Sequence, residues 1–145
     1  MTDPMLVARR VVDGMLARDA FSRWLGLDVT ELAPGACTCA MTVRPEMVNG
    51  FGVAHGGIVF GLADSALAFA SNSHGRLALS IENSVRYPAP VHPGDVLTAR
   101  ASERRTTNRL GFYTVTVTNQ DDVEVGLFTG TVYRTEKGHE STIGD

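Results

Sequence analysis

The sequence predicts an α+β domain in which one long helix is wrapped by a curved antiparallel β-sheet, with an extra helix at the N-terminus. Three observations carry this. Residues 56 to 73 form a run that is apolar or small on nearly every side and too long for a strand. Four strand-like runs follow it, separated by turn-rich segments. An alternating segment, Ala36 to Arg44, precedes it. A helix that is apolar nearly all round must be covered on most sides, and a curved sheet meets that need.

Pro4 to Trp24 reads as the first helix, with Met5, Leu6, Val11, Val12, Met15 and Leu16 roughly on one stripe opposite Arg9, Arg10, Asp13, Arg18 and Asp19. Gly26 ends it. Asp28 to Ala33 is a short strand, and Pro34-Gly35 is a turn signal. Ala36 to Arg44 places Cys37, Cys39, Met41 and Val43 on one face and Thr38, Thr42 and Arg44 on the other, the pattern of a half-buried strand. Pro45 stops it, and Glu46 to Ala54 is an irregular connection. The long helix runs from Gly56 to Ser73, with Gly75 placed to cap its C-terminus. Four antiparallel strands are then expected at Ala78 to Tyr87, Asp95 to Arg104, Arg109 to Asn119 and Val123 to Arg134. The chain thus divides into an N-terminal helix (1–24), a single domain (25–136) and a flexible tail (137–145).

At 145 residues the chain suits one domain, able to bury roughly two thirds of its unfolded surface. The net charge of −3 gives no global basic field of the kind that attracts nucleic acid. No uncharged run is long enough to span a bilayer, and the N-terminus lacks the pattern of a secretion signal. Cys37 and Cys39 lie two apart on one strand face, where a bond between them would be badly strained, so they read as small core residues. A reducing, cytoplasmic setting fits all of this.

One residue does not fit a core helix. Asp64 lies in the middle of the apolar run, where an ionised carboxylate costs several kcal/mol unless paired or hydrogen-bonded. By steps of four and three it shares a stripe with Gly57, Gly61, Ala68, Ser71 and Gly75, all small, so a helix, a backbone or a thin ligand could come close to it. The helix start adds a second element. Its first N–H groups have no internal partner and sit at the positive end of the dipole, where Gly56 and Gly57 expose them to a carbonyl. His55 stands beside them as a cap or a catalytic group, and Asn49-Gly50 has the form of an ordinary turn pair.

Asp64 lies eight residues after Gly56, or about 12 Å along a helix, whereas a base must sit within about 3 to 3.5 Å of its reacting atom or act through one water. One chain therefore does not bring the two together. A second subunit with its helix antiparallel would bring its own carboxylate to the first subunit's helix start, which predicts a two-fold dimer with two sites made across the interface.

Asn49-Gly50, His55-Gly56-Gly57, Leu62-Ala63-Asp64 and Asn72-Ser73, with the Tyr87-Pro88 and Pro93-Gly94-Asp95 turn segment, resemble the hotdog-fold acyl-CoA thioesterases. The likeness is closest to the branch associated with phenylacetate breakdown, the PaaI type, within the 4-hydroxybenzoyl-CoA thioesterase-like group. It covers about Leu25 to Arg134. The resemblance implies a hotdog fold and hydrolysis of acyl-CoA thioesters carrying an aromatic or medium-sized acyl group. Asp64 would then act as nucleophile or as base toward water, and the Gly56 N–H would polarise the thioester carbonyl. Asn49 would position the water or acyl group, while His55 would assist near the sulfur or orient the loop. Ser65 would hydrogen-bond within the site. Gly57 and Ala68 would border it, and Phe51, Val53, Ala54, Phe69 and Ala70 would shape the acyl pocket. Arg104, Arg105 and Arg109 form the densest basic cluster and are candidates to hold the coenzyme A phosphates, their alternative being a solvated hairpin tip. The resemblance implies neither metal nor redox cofactor, coenzyme A being part of the substrate, and a dimer that pairs into a homotetramer. A hydratase or dehydratase acting on acyl thioesters and a non-catalytic acyl-CoA binder are the competing readings.

Overall fold

Asp19 interrupts the N-terminal helix that the sequence pattern draws as one. In the computed structural model, which describes residues 2–139, α1 spans Pro4–Arg18 and α2 spans Ala20–Leu25. Between them Asp19 leaves helical geometry (φ −93°, ψ 88°) and its side chain accepts the Ser22 N–H at 2.9 Å. A short carboxylate competes with the helix for backbone donors in this way, and here it starts the second helix. Gly26, at φ +75°, ends α2.

β1 (Asp28–Ala33) and β2 (Ala36–Thr42) form a hairpin around Pro34-Gly35, with Gly35 at φ +79°. A short 3₁₀ turn at Pro45–Met47 leads through a loop to α3 (Gly56–Asn72). Then come β3 (Arg76–Arg86), β4 (Val96–Thr106), β5 (Leu110–Thr118) and β6 (Glu124–Gly138). All six strands make one antiparallel sheet in the order β1-β2-β4-β5-β6-β3.

α3 packs on one face of that sheet. The strands present Cys39, Leu97, Val117 and Phe128 to it, and the helix answers with Leu62, Ala66 and Phe69, all buried. Burying a side chain the size of Phe69 stabilises by about 1.5–3 kcal/mol. The approach is close because the sheet gives way at glycine: a Cβ on Gly126 would lie 2.7 Å from the Val59 side chain.

The far end of α3 is fastened by polar groups. Asn72 donates to the carbonyls of Ala68 (2.8 Å) and Ala78 (3.1 Å), and its Oδ1 accepts from the Ala78 N–H at 2.9 Å and from His139 at 2.7 Å. Two boundary expectations change here. The helix closes at Ser73 in right-handed conformation, and Gly75, at φ +98°, belongs to the turn into β3. β6 takes in Lys137 and Gly138, and His139 is buried against Asn72, so these residues are not part of a tail. The rest of the expected tail, 140–145, lies outside the described residues.

β3 is an edge strand, hydrogen-bonded only to β6. A register shift between Ser80 and Glu82 leaves Ile81 without a ladder partner, and Ile81 and Leu79 are more than half exposed. Among the described residues, no helix is long and apolar enough to cross a membrane.

Candidate active site

The loop before α3 is a tied-down turn. Asn49 donates its N–H to the Val53 carbonyl at 2.8 Å and accepts the Gly52 N–H at 3.1 Å, while its side-chain oxygen accepts the Phe51 N–H at 2.8 Å. Gly52, at φ +80°, completes the reversal. The Asn49 side chain thus holds the loop by its oxygen, which leaves its amide nitrogen without a part in the turn. Phe51 at the tip is 93% exposed.

His55 is the N-cap of α3. Its Nδ1 accepts the Gly57 N–H at 2.9 Å. Gly57, expected as a second donor to a carbonyl, is therefore already taken, and a Cβ there would meet His55 Nδ1 at 3.0 Å. Among the described residues nothing accepts the Gly56 N–H, so the helix start offers one free donor. Because Nδ1 accepts, the neutral His55 ring carries its proton on Nε2. Tyr87 covers Gly56: its hydroxyl donates to the Gly56 carbonyl at 3.0 Å, and its ring lies 3.1 Å from where a Cβ would stand. Next to this lies a cavity of about 340 Å³ lined by Val53, Ala54, Gly56, Val59, Tyr87 and Val91 among others.

α3 opens to solvent only at Gly56, Gly57, Phe60, Asp64 and Ala68. Asp64 is half-buried, and its Oδ1 accepts from Asn83 Nδ2 at 3.2 Å. Burial holds its carboxyl above the usual aspartate range; the Asn83 hydrogen bond works against that rise, and the negative charge of Asp19 adds to it. Asn83 escaped the sequence reading because it sits in a polar strand 19 residues from Asp64. Its own orientation is set by Ser80, whose hydroxyl donates to Asn83 Oδ1 at 3.1 Å.

Two expected members are turned elsewhere. Ser65 is buried and lies 2.8 Å from Ser22 Oγ, which in turn bonds the Asp19 carboxylate at 2.5 Å, so it ties α3 to α2. Gly61 is covered by the chain's own Phe21, with the ring 2.8 Å from a Cβ built there. Ala68 stays in the open stripe, one turn beyond Asp64.

The basic cluster does not form. A register shift in β4 between Glu103 and Arg105 leaves Arg104 unpaired. Arg104 lines a groove with Arg86, Ser84 and Thr129, whereas Arg109 lines another with Arg76, Arg134 and Lys137. All three expected arginines are exposed, Arg105 included. The two cysteines are free and buried on the core face, with their sulfurs 3.8 Å apart.

A free N–H at a positive helix end suits a developing oxyanion, and a carboxylate with an elevated pKa suits proton transfer or attack. Eight helical residues, about 12 Å, separate the two within one chain.

Comparison with known proteins bears on this arrangement. Residues 51–126 match the thioesterase superfamily. Acyl-coenzyme A thioesterase PaaI of Escherichia coli strain K12 is 37% identical over 120 residues, which cover 83% of this chain and 86% of that protein. The structure of the E. coli PaaI protein from the phenylacetic acid degradation operon superposes with a TM-score of 0.91 at 33% identity, over 94% of this chain and 99% of that one. A Streptococcus mutans protein solved bound to acetyl CoA superposes with a TM-score of 0.75 at 29% identity, over 77% of this chain and 90% of the other. With α3 laid on a six-stranded antiparallel sheet, the chain belongs to the thioesterase superfamily, as a hotdog-fold enzyme of the PaaI-like branch.

Proposed function

We propose that this protein hydrolyses acyl-CoA thioesters to the free acid and coenzyme A, acting on aromatic acyl groups of the phenylacetyl type or on medium-length chains. The observation that carries the reading is Asp64: a half-buried carboxylate, anchored by Asn83, on the one stripe of α3 left open to solvent. A core helix has no use for such a group. The acyl-CoA thioesterase named among the relatives and the acetyl CoA bound to the S. mutans neighbour support the substrate class.

The site is shared between two subunits. The Gly56 N–H of one subunit polarises the thioester carbonyl, and the partner subunit's Asp64 attacks it or deprotonates the water that does. As a base, Asp64 takes the proton from water and the departing sulfur receives it, giving acid and thiol. As a nucleophile, Asp64 displaces the thiolate to form a mixed anhydride. Water then hydrolyses the anhydride to the free acid and the regenerated carboxylate, while the thiolate takes up the released proton. In this reading His55 Nε2–H donates near that sulfur, and the Asn49 amide positions the water or the acyl group. The unpaired β3 edge with its exposed Leu79 and Ile81 supports two-fold pairing, because the Asn83 that holds Asp64 lies on the same strand. Partly exposed Phe112, Leu127 and Tyr133 support a second interface that makes the tetramer. Arg104 and Arg109, in separate grooves, and Arg105 remain candidates for the phosphates.

Release of free thiol from a panel of acyl-CoAs tests this reading. Wild type is expected to release coenzyme A, and Asp64→Asn to lose about 10²–10⁴-fold in turnover while keeping its fold. Retained turnover in Asp64→Asn sinks the assignment of Asp64. Loss of the double bond from an enoyl thioester without thiol release would mean a hydratase instead.

A further inference from the structure

Phe21 is half exposed, yet its position is fixed from several directions. Beneath it, Gly61 has no side chain, and the ring occupies the space where one would stand. Beside it, the Trp24 ring stacks at 6.2 Å between centroids with an interplanar angle of 25°. Trp24 lies under the Arg44 guanidinium, 5.0 Å from the ring centre. Arg44 also grips the end of α2, donating to the carbonyls of Trp24 at 2.6 Å and Leu25 at 3.1 Å. The Ser22–Ser65 hydrogen bond holds the start of α2 to α3 at the residue following Asp64.

Gly61 and Asp64 are three residues apart and so lie on one helix face, about 4.5 Å apart along the axis. The ring seated on Gly61 therefore lies about one helical turn from the carboxylate on the same face, and Phe21 as a residue is half exposed. It is carried by α2, outside the residues that match the superfamily.

We propose that Phe21 is a specificity-determining residue: its ring, seated on Gly61 beside Asp64, forms an apolar wall against which the acyl group of the thioester packs. The proposal rests on the hydrolase reading above. Phe21 and Asp64 belong to the same chain, so the wall accompanies the carboxylate whichever subunit supplies the carbonyl donor. A flat, rigid ring favours aromatic and compact acyl groups over short ones that cannot reach it.

Two measurements test it. The first is the ratio of kcat/KM for phenylacetyl-CoA to that for acetyl-CoA, followed by thiol release. Phe21→Ala is expected to lower this ratio about tenfold, and Phe21→Tyr, which keeps the ring, to restore it; a purely structural role would leave the ratio unmoved. The second uses Trp24, the single tryptophan of the chain. Its emission in the wild type is expected to change saturably with the non-hydrolysable thioether S-phenethyl-CoA and to stay constant with coenzyme A alone. A ratio unchanged in folded Phe21→Ala, or a Trp24 emission indifferent to the thioether while the wild type still hydrolyses acyl-CoA, overturns the wall and leaves the hydrolase reading standing. Neither hydrolysis nor thioether binding in the wild type overturns both.

Discussion

The Nδ1 of His55 accepts the Gly57 N–H at 2.9 Å, so the imidazole closes the start of α3 with one nitrogen and presents the other as a donor. The two functions separate by substitution. His55→Ala loses the cap and is expected to lose about 1 kcal/mol of stability. His55→Asn keeps a capping oxygen but loses Nε2–H, so its melting temperature should stay near wild type while its turnover falls. Equal turnover in His55→Asn and wild type would reduce His55 to a cap.

Asp64 should cost the protein stability when ionised. Burial holds its native pKa above the unfolded value, so the native state retains the proton through a window in which the unfolded state has lost it. Stability therefore falls as pH rises through that window and stays reduced above it. Asp64→Asn escapes the penalty. Its melting temperature should exceed that of wild type at pH 8, with the gain shrinking as pH falls through the native pKa of Asp64 and gone below about pH 4, where the unfolded carboxylate is protonated too. Thermal melts across that range check the sign, and a wild type more stable than the variant at pH 8 contradicts it.

Asn83 pulls the other way on the same group. Its amide donates to Asp64 and favours the charged form. Asn83→Ala removes that donor, so the Asp64 pKa should climb further and the acidic limb of the kcat/KM profile should move to higher pH. A limb that does not move means the hydrogen bond is absent in the working enzyme.

Sites shared between two subunits, as proposed, would permit complementation. Asp64→Asn and His55→Ala homodimers each damage both of their sites, whereas a mixed dimer holds one undamaged site and one doubly damaged site. If subunits exchange freely, an equal mixture should recover activity to about a quarter of wild type. Activity equal to the mean of the two variants indicates that each subunit works alone.

Much of this molecule could be read from residue order, because its main elements are written in periodicity. The apolar helix with one carboxylate, and the strands around Cys37–Met41 and Val115–Val117, lie where the alternation puts them. What escaped the reading depends on contacts between distant residues. Asp19 continues the polar face of a helix in projection, and only its capture of the Ser22 N–H shows that the helix breaks there. The small residue at Gly61 signals a close approach correctly, but the visitor is Phe21 of the same chain. Asn83 joins Asp64 only because the sheet folds it back against the helix, and no local pattern marks it. Arg104 and Arg109 are five residues apart in sequence, yet across a β-bulge and a hairpin they line different grooves.

The thiol pair in β2 has a practical consequence for measuring coenzyme A release. Cys37 and Cys39 are the only cysteines of the chain and both are buried, and the Cys39 thiol is held strongly protonated by its hydrogen bond to Cys37 and by burial. Colorimetric disulfide reagents react with exposed thiolates. In the native protein such a reagent should therefore report coenzyme A as it leaves, with little background from the enzyme, and a slow rise in colour without substrate becomes a direct reading of unfolding.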